Sequence, residues 1–475
     1  MLRRITRKLA ILAVLAGMLS GLAPSMLAVR TAHADEASRS GASTVLDRSS
    51  APAPKRSEAA EPEPLTAADL QVRSAVVPSD ALASGTAGTC LFYITSDLQM
   101  VITPADGAHG VLPNLYASED WPWYRYAAYI KTIRFDRGVK TGDSLNWAFS
   151  NGSADAAAYN RLESVDFTNL DAADLTQMYG ILAYDRTLTE VNMNMLNAVQ
   201  VRSMAEAFRS TGITGLDLTA IGDGKLWSID GMCNACKRLE SVTTGWTLPV
   251  LYFAQGTFGE DARLASIDAE NWRFGQAGSL SLMFNGCSGL KTLDVSRWNV
   301  GSVFNLYHTF DHCTGLKTLD VSGWNTGSLT DARGLFHHCT GLKTLDVSGW
   351  NTGKVTSFEN IFAYCTSLTE LDVSGWNTGK ATSMSGMFDQ DGKLTVLDVS
   401  RWDTSNVQDM SGMFRDTGIA TLDVSQWNVS HVGNAAGMFN DCVNLVTLDT
   451  SRWRLDSAWG LGACSATASA SPVWM

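Results

Sequence analysis

The sequence predicts a repeat solenoid, mainly β, with one strand in each coil of roughly 25–26 residues and the strands of successive coils stacked into a parallel sheet. Three observations carry this reading. LKTLDVSRWN, LKTLDVSGWN, LKTLDVSGWN and LTELDVSGWN follow one another, and their Trp298, Trp324, Trp350 and Trp376 fall at one constant interval. An aromatic-then-cysteine pair recurs between them, at Phe284 and Cys287, Phe310 and Cys313, Phe336 and Cys339, and Phe362 and Cys365. Within each unit, apolar Leu293 and Val295, Leu319 and Val321, or Leu345 alternate with polar Asp294, Asp320 or Asp346, the period-2 pattern of a half-buried strand. A fixed period between about 20 and 50 residues marks a chain whose units stack.

One unit cannot fold alone. Leu316, Leu319, Val321, Trp324 and Phe336 offer roughly 1.5–3 kcal/mol each when buried. Ordering the backbone of a whole coil costs roughly 1–2 kcal/mol per residue in entropy, which exceeds that gain. Neighbours must therefore cover each other's faces, and cooperativity runs along the stack. The segment between repeats, such as SFENIFAYC, is compatible with a short helix or an irregular turn that carries its Phe inward.

In chain order, residues 1–34 read as a signal peptide, with a basic start, an apolar run from about Leu9 to Leu22, and a small-x-small site at Ala32-His33-Ala34. Their five basic residues and no acid mean that removal takes the formal charge from −12 to −17. That acidity argues against nucleic acid or an anionic membrane as the partner. The mature chain carries no apolar run long enough to span a bilayer. Residues 35–84 turn to Ala, Ser, Pro and Glu and read as a disordered spacer. Residues 85–129 form an N-terminal β-rich cap: Leu91–Thr95 and Met100–Thr103 read as a hairpin, and Trp121, Trp123, Tyr124 and Tyr126 as a plug on the first coil in preference to a glycan platform. The solenoid runs from 130 to 456, with AFRSTGITGLDLT at Ala207–Thr219 matching MFRDTGIATLDVS at Met413–Ser425. Thirteen strand centres from Ile133 to Leu448 give a stack roughly 60 Å long at the usual strand spacing. Residues 457–475 are a tail.

LxxLDVSxWNT followed by Phe and Cys, once in every coil, resembles the BspA-type leucine-rich repeat proteins, bacterial surface proteins with a repeat of about 26 residues. The resemblance spans about Ile130–Trp453, and the cap, with its "ITP" strand and WPWY cluster, is also similar. It implies a leucine-rich-repeat-like fold and a secreted or cell-surface protein of adhesion and host–microbe contact, without catalysis. Members often end in wall-binding modules or a sorting signal. This chain ends in GLGACSATASASPVWM with neither, and so reads as truncated or released.

Several columns of side chains could carry chemistry. Asp294, Asp320, Asp346, Asp372, Asp398, Asp423 and Asp449 recur once per coil. A row of Ca²⁺ sites is one reading; the favoured one is structural, each carboxylate accepting from a neighbouring coil or from a Ser two residues on. An outward column would make an acidic stripe suited to a basic partner. Cys236, Cys287, Cys313, Cys339, Cys365 and Cys442 share a register in which Asp391 and Thr417 also stand, which favours buried thiols over disulfides. Nine cysteines leave at least one unpaired within the chain. Cys233-x-x-Cys236 follows from the same register rather than from a zinc or redox pair. His312 and His338 could line up as ligands on adjacent coils, but solvated rings are favoured and no metal or other cofactor is expected. The Trp column reads as core rather than as a sugar-stacking stripe.

The resulting expectation is a monomeric binding solenoid whose partner is a host extracellular protein or a cell-surface glycan. The positions that change from coil to coil would recognise it: Arg297, Asn305, Tyr307, His308 and His312 in one coil. A structural stalk is the other reading, and it would scatter such positions where a binding face would cluster them.

Overall fold

The computed structural model describes residues 77–153, 158–448, 450 and 453. The expected signal peptide (1–34), most of the spacer (35–84), Asp449 and the tail (457–475) lie outside the described residues. The cap is a meander of β1 (Ala83–Ala87), β2 (Cys90–Ile94) and β3 (Gln99–Pro104), antiparallel throughout. A short β4 (Gly110–Val111) and two 3₁₀ turns, Ser118–Asp120 and Tyr124–Tyr129, lead to β5 (Thr132–Phe135). There the direction of pairing changes: β5 lies parallel to β3, β6 (Val139–Lys140) parallel to β4, β7 (Ser164–Asp166) parallel to β5 and β8 (Glu190–Asn192) parallel to β7. The cap hairpin thus extends the first strand ladder of the solenoid and covers its open edge. Trp121 and Trp123 are buried and stacked at 4.9 Å, and Trp123 stacks on Phe149 of the first coil at 5.4 Å. Their indole N–H groups donate to the carbonyls of Asn146 and Ala148, so the two indoles plug the first coil, while Tyr124 beside them is half-buried.

Coils then succeed one another in the expected parallel sense, through β9 (Gly215–Asp217), β10 (Ser241–Thr243) and β11 (Ser266–Ile267), to β12 (Thr421–Leu422) and β13 (Thr447–Leu448). Between β11 and β12 the coils form no strand on this side, only a bridge between Thr344 and Glu370, so the expected strand in every coil is not met there, and the reason is local. In the LDVS segments the Asp accepts its own coil's Ser backbone N–H and hydroxyl two residues on, as Asp320 does from Ser322 at 3.1 and 2.7 Å, a turn that competes with the ladder. The unbroken ladder runs on another side of the coil, as parallel bridges from Ser144 through Gln177, Ser203, Ser228, Phe253, Ser279, Asn305, Asp331, Ser357, Ser383 and Asp409 to Asn434.

Two aromatic columns fill the interior. Trp272, Trp298, Trp324, Trp350, Trp376, Trp402 and Trp427 are at most 3% exposed, and neighbouring rings, on to Trp453, stack at 6.1–6.5 Å. From Trp324 on, each indole N–H donates to the Val carbonyl of the preceding coil, for example Trp350 to Val321 at 3.2 Å and Trp376 to Val347 at 3.1 Å. Beside them Phe258, Phe284, Phe310, Phe336, Phe362, Phe388, Phe414 and Phe439 stack at 5.5–6.0 Å.

The eight described cysteines are buried and free. Each thiol of the column donates to the carbonyl of the Phe one coil earlier: Cys313 to Phe284 at 3.2 Å, Cys339 to Phe310 and Cys365 to Phe336 at 3.1 Å. Cys236 does the same to Phe208 and so keeps the register of the column. Burial pushes the Cys313, Cys339 and Cys365 thiols well up, so they remain protonated donors. Asp391 interrupts this column. Burial holds its carboxyl well above the usual range, partly opposed by the Cys365 backbone N–H, and neither oxygen has a partner in hydrogen-bond geometry.

Trp350→Ala is expected to cost about 3–5 kcal/mol, and Leu345→Ala about 2–5 kcal/mol, through unfilled core volume. Faster amide exchange in the coils on either side should accompany the loss, and a fully cooperative melt at an unchanged midpoint would contradict the stacking account. Asp391 yields a second expectation. Its folded pKa lies above its unfolded value, so its contribution is fullest below the unfolded pKa of 3.8 and decays as pH rises towards the folded pKa. Asp391→Cys restores a thiol aimed at the Phe362 carbonyl and should gain about 1–3 kcal/mol at neutral pH. Denaturant melts at pH 4 and pH 7 should show that gain shrinking in acid; an equal gain at both would rule out the carboxyl as its source.

Candidate functional site

The side chains that recur in every coil are mostly inside. Leu293, Val295, Trp298, Leu319, Val321, Trp324, Phe336, Cys339, Leu345, Trp350, Phe362, Cys365 and Trp376 are all buried. Asp294, Asp320 and Asp346 are exposed and, with Thr292, Thr318 and Thr344, line a shallow groove along the strand face. Each of these carboxylates is engaged with its own coil's Ser, and among the described residues no three of the column bring ligand atoms together as a calcium site would.

The five variable positions separate. Arg297 is exposed at the corner after residues 293–296, beside Asp294. Asn305, Tyr307, His308 and His312 lie on the other side of the coil, where Asn305 belongs to the continuous bridge ladder. There the backbone is neither helix nor strand. Amides alternate between a bond three residues back, as Thr309 N–H to Leu306, and a bond to the next coil, as His308 N–H to Arg333 and His312 N–H to His337. Two residues per coil adopt positive φ, among them His308 (49°), His312 (58°), His338 (54°), Asn360 (53°) and Tyr364 (63°). SFENIFAYC is therefore a repeated turn, which holds equivalent residues of successive coils in contact.

The centre of this side is Asp311. Its Oδ1 lies 2.6 Å from His312 Nδ1 and 2.9 Å from His337 Nδ1. Its Oδ2 takes His308 Nδ1 at 2.8 Å and the Asn285 side-chain amide at 3.0 Å. Burial alone would raise this carboxyl, but the hydrogen bonds from three imidazoles pull it far below the usual carboxylate range. The same bond to Asp311 raises His312. His338 is lowered to about 4 by burial and by the neighbouring His337 and His312.

Outward from the cluster the rings continue. His312 stacks on His338 at 4.3 Å and His338 on Tyr364 at 4.2 Å. Arg333 grips Asp331 through Nε at 3.0 Å and Nη2 at 2.7 Å, and lies over the Tyr307 ring at 4.9 Å. Farther along, Arg415 pairs with the buried Asp389. Tyr307, His308, His312, Arg333, His337, His338 and Tyr364 thus form one ridge across three coils. The sequence reading picked out Tyr307, His308, His312 and His338 and missed Asp311, Arg333, His337 and Tyr364. The signal was there: DHC, HHC and AYC stand one repeat apart, ending at Cys313, Cys339 and Cys365.

The family profile described as "Mycoplasma protein of unknown function, DUF285" matches residues 251–371 and again 358–468, as a repeated unit would. No curated protein matches the sequence. Among solved structures, the chain is similar to a leucine-rich repeat protein from Eubacterium ventriosum, at 14% identity over 78% of this chain and 92% of that one, with a TM-score of 0.36. It is also similar to a leucine-rich cell surface protein from Faecalibacterium prausnitzii, at 13% identity over 78% and 94%, with a TM-score of 0.26. The functional domain of InlJ from Listeria monocytogenes, which includes a cysteine ladder, matches at 15% identity over 68% and 63%, with a TM-score of 0.17. No helix among the described residues is long and apolar enough to cross a membrane.

The seat of the His308 ring is testable. Gly334 has φ of 58°, and a Cβ there would lie 2.4 Å from His308 Cε1. Gly334→Ala should cost about 1–2 kcal/mol from the left-handed backbone and swing His308 off Asp311. Imidazole NMR should then show His308 altered more than His337; an unchanged His308 would refute the packing.

Proposed function

We propose that this chain is an exported surface protein whose solenoid binds a macromolecular partner, a host extracellular protein or a cell-surface glycan, in adhesion or host–microbe contact. The observation that carries the reading is the clustering of Tyr307, His308 and His312, though not of Arg297, with side chains of the neighbouring coils. On the strand face, successive coils repeat Thr and Asp, as Thr292 and Asp294, Thr318 and Asp320, Thr344 and Asp346. On the turn side, the residues that change are Tyr, His and Arg, and they adjoin one another from Tyr307 to Tyr364. Recognition energy at interfaces concentrates in a few aromatic and Arg side chains surrounded by neutral contacts, and this ridge has that composition. A spacer has no need to gather them. The basic and apolar character of residues 1–34, with the Ala32-His33-Ala34 site, supports export. The engaged side chains are structural or solvent-facing, which favours binding over catalysis.

The test is a saturable-binding screen of the whole chain against immobilised extracellular-matrix proteins and glycans. Any partner found should bind about 10–30-fold more weakly to Arg333→Ala and Tyr364→Ala and unchanged to Thr318→Ala on the strand face. Loss through Thr318→Ala alone would move the site to the groove. Absence of any saturable partner would favour the stalk.

A further inference from the structure

We propose that Asp311, His312, His337 and His338 form a site for one divalent first-row transition-metal cation, zinc being the natural occupant, held between two adjacent coils. This inference is independent of the adhesion reading. Four of the seven histidines of the chain fall within residues 308–338. Among the described residues this is the only group of three or more His, Cys, Asp or Glu whose ligand atoms all lie within 4.8 Å of one another.

The distances suit a tetrahedral ion. Zinc bonds of roughly 2.0–2.1 Å place ligand atoms about 3.3–3.4 Å apart. Here the spacings are 2.6 Å from Asp311 Oδ1 to His312 Nδ1, 2.9 Å from Oδ1 to His337 Nδ1, and 3.3 Å from His337 Nδ1 to His338 Nδ1. The two carboxylate contacts are hydrogen-bond distances, shorter than ligand–ligand spacings around zinc, and small ring movements open them to coordination distance.

Proton counting favours the ion as well. His337 Nδ1 faces both Asp311 Oδ1 and His338 Nδ1. Its single N–H can point at only one of them, and two ring nitrogens that each carry a proton cannot bond to each other. A cation at the shared point accepts a lone pair from every nitrogen at once and releases their protons.

The remaining oxygen of Asp311 is already fixed. Oδ2 is held by His308 and Asn285, which leaves Oδ1 to face His312 and His337, and hydrogen-bonded partners of this kind orient metal ligands. The backbone beneath is equally set, with His312 N–H on the His337 carbonyl and His338 N–H on the Ala363 carbonyl, both at 2.8 Å. Three imidazoles and a carboxylate select zinc, copper, nickel or cobalt over calcium and magnesium, which require more oxygen. The His312 side chain is 42% exposed and gives a hydrated ion access.

The experiment is calorimetric titration of the untagged whole chain, stripped with a chelator, with Zn²⁺ alone. One ion per chain is expected, with no uptake of Ca²⁺ or Mg²⁺, and Co²⁺ should give the visible absorption of a tetrahedral centre. His312→Asn and His338→Asn should each weaken binding by about 100-fold or more, and Asn285→Ala by about 10–100-fold. The register of His312 and His338 also holds Ser210, Glu260, Tyr364 and Gln390 at positive φ, so the fold should tolerate both Asn variants, and melts in chelator check this. Sub-stoichiometric zinc uptake, or uptake that neither Asn variant alters, would overturn the proposal.

Discussion

The seating of one coil on the next depends on an indole. From Trp298 to Trp427 each buried Trp presents its face to the Trp of the adjacent coil and its N–H to a carbonyl of the preceding one, as Trp376 does to Val347. Both demands are met only when the coils lie in register, because a displaced ring would leave a buried donor unpaired as well as a void. The thiol of the Cys column makes the same requirement from a second direction, by bonding the Phe carbonyl one coil earlier. With these two polar ties and two aromatic stacks, the interior specifies its own spacing. The strand ladder does not need to. That explains why the central LDVS segments can cap their own serines in place of forming strands while the stack persists.

Fixing the register from inside frees the outside. On the turn side, two positive-φ positions per coil and a ladder of inter-coil amides hold the backbone, so the side chains there are not needed for stability and differ from coil to coil. Where they are His, Tyr and Arg, equivalent residues of neighbouring coils come into ring contact and the differences accumulate into a ridge. A chemically distinct surface thus arises on a nearly uniform scaffold, and Asp311, buried beneath three imidazoles, is its densest point.

The periodicity made most of the fold legible. The even recurrence of Trp and of Phe with Cys, and the alternation of Leu, Asp and Val, are direct consequences of stacking, so reading them forward recovers the coil. The cap plug was legible for a similar reason, since exposed aromatics at the end of an open stack would be a liability. The site was legible only in part. His312 and His338 were visible as equivalent positions, and Asp311 and His337 stand one repeat apart beside them, but that an Asp and a His of neighbouring coils converge depends on the turn backbone and not on residue type.

By itself, the sequence determined the coil length, the residues that face inward, the parallel order of the units and the free thiol column, because each is imposed again at every repeat. Only the tertiary structure decided where the ladder is continuous, that the carboxylates of the strand face serve their own serines, and that one carboxylate and four imidazoles converge. Those outcomes depend on backbone φ in the turn and on the close approach between neighbouring coils, quantities that a pattern of residue types does not encode.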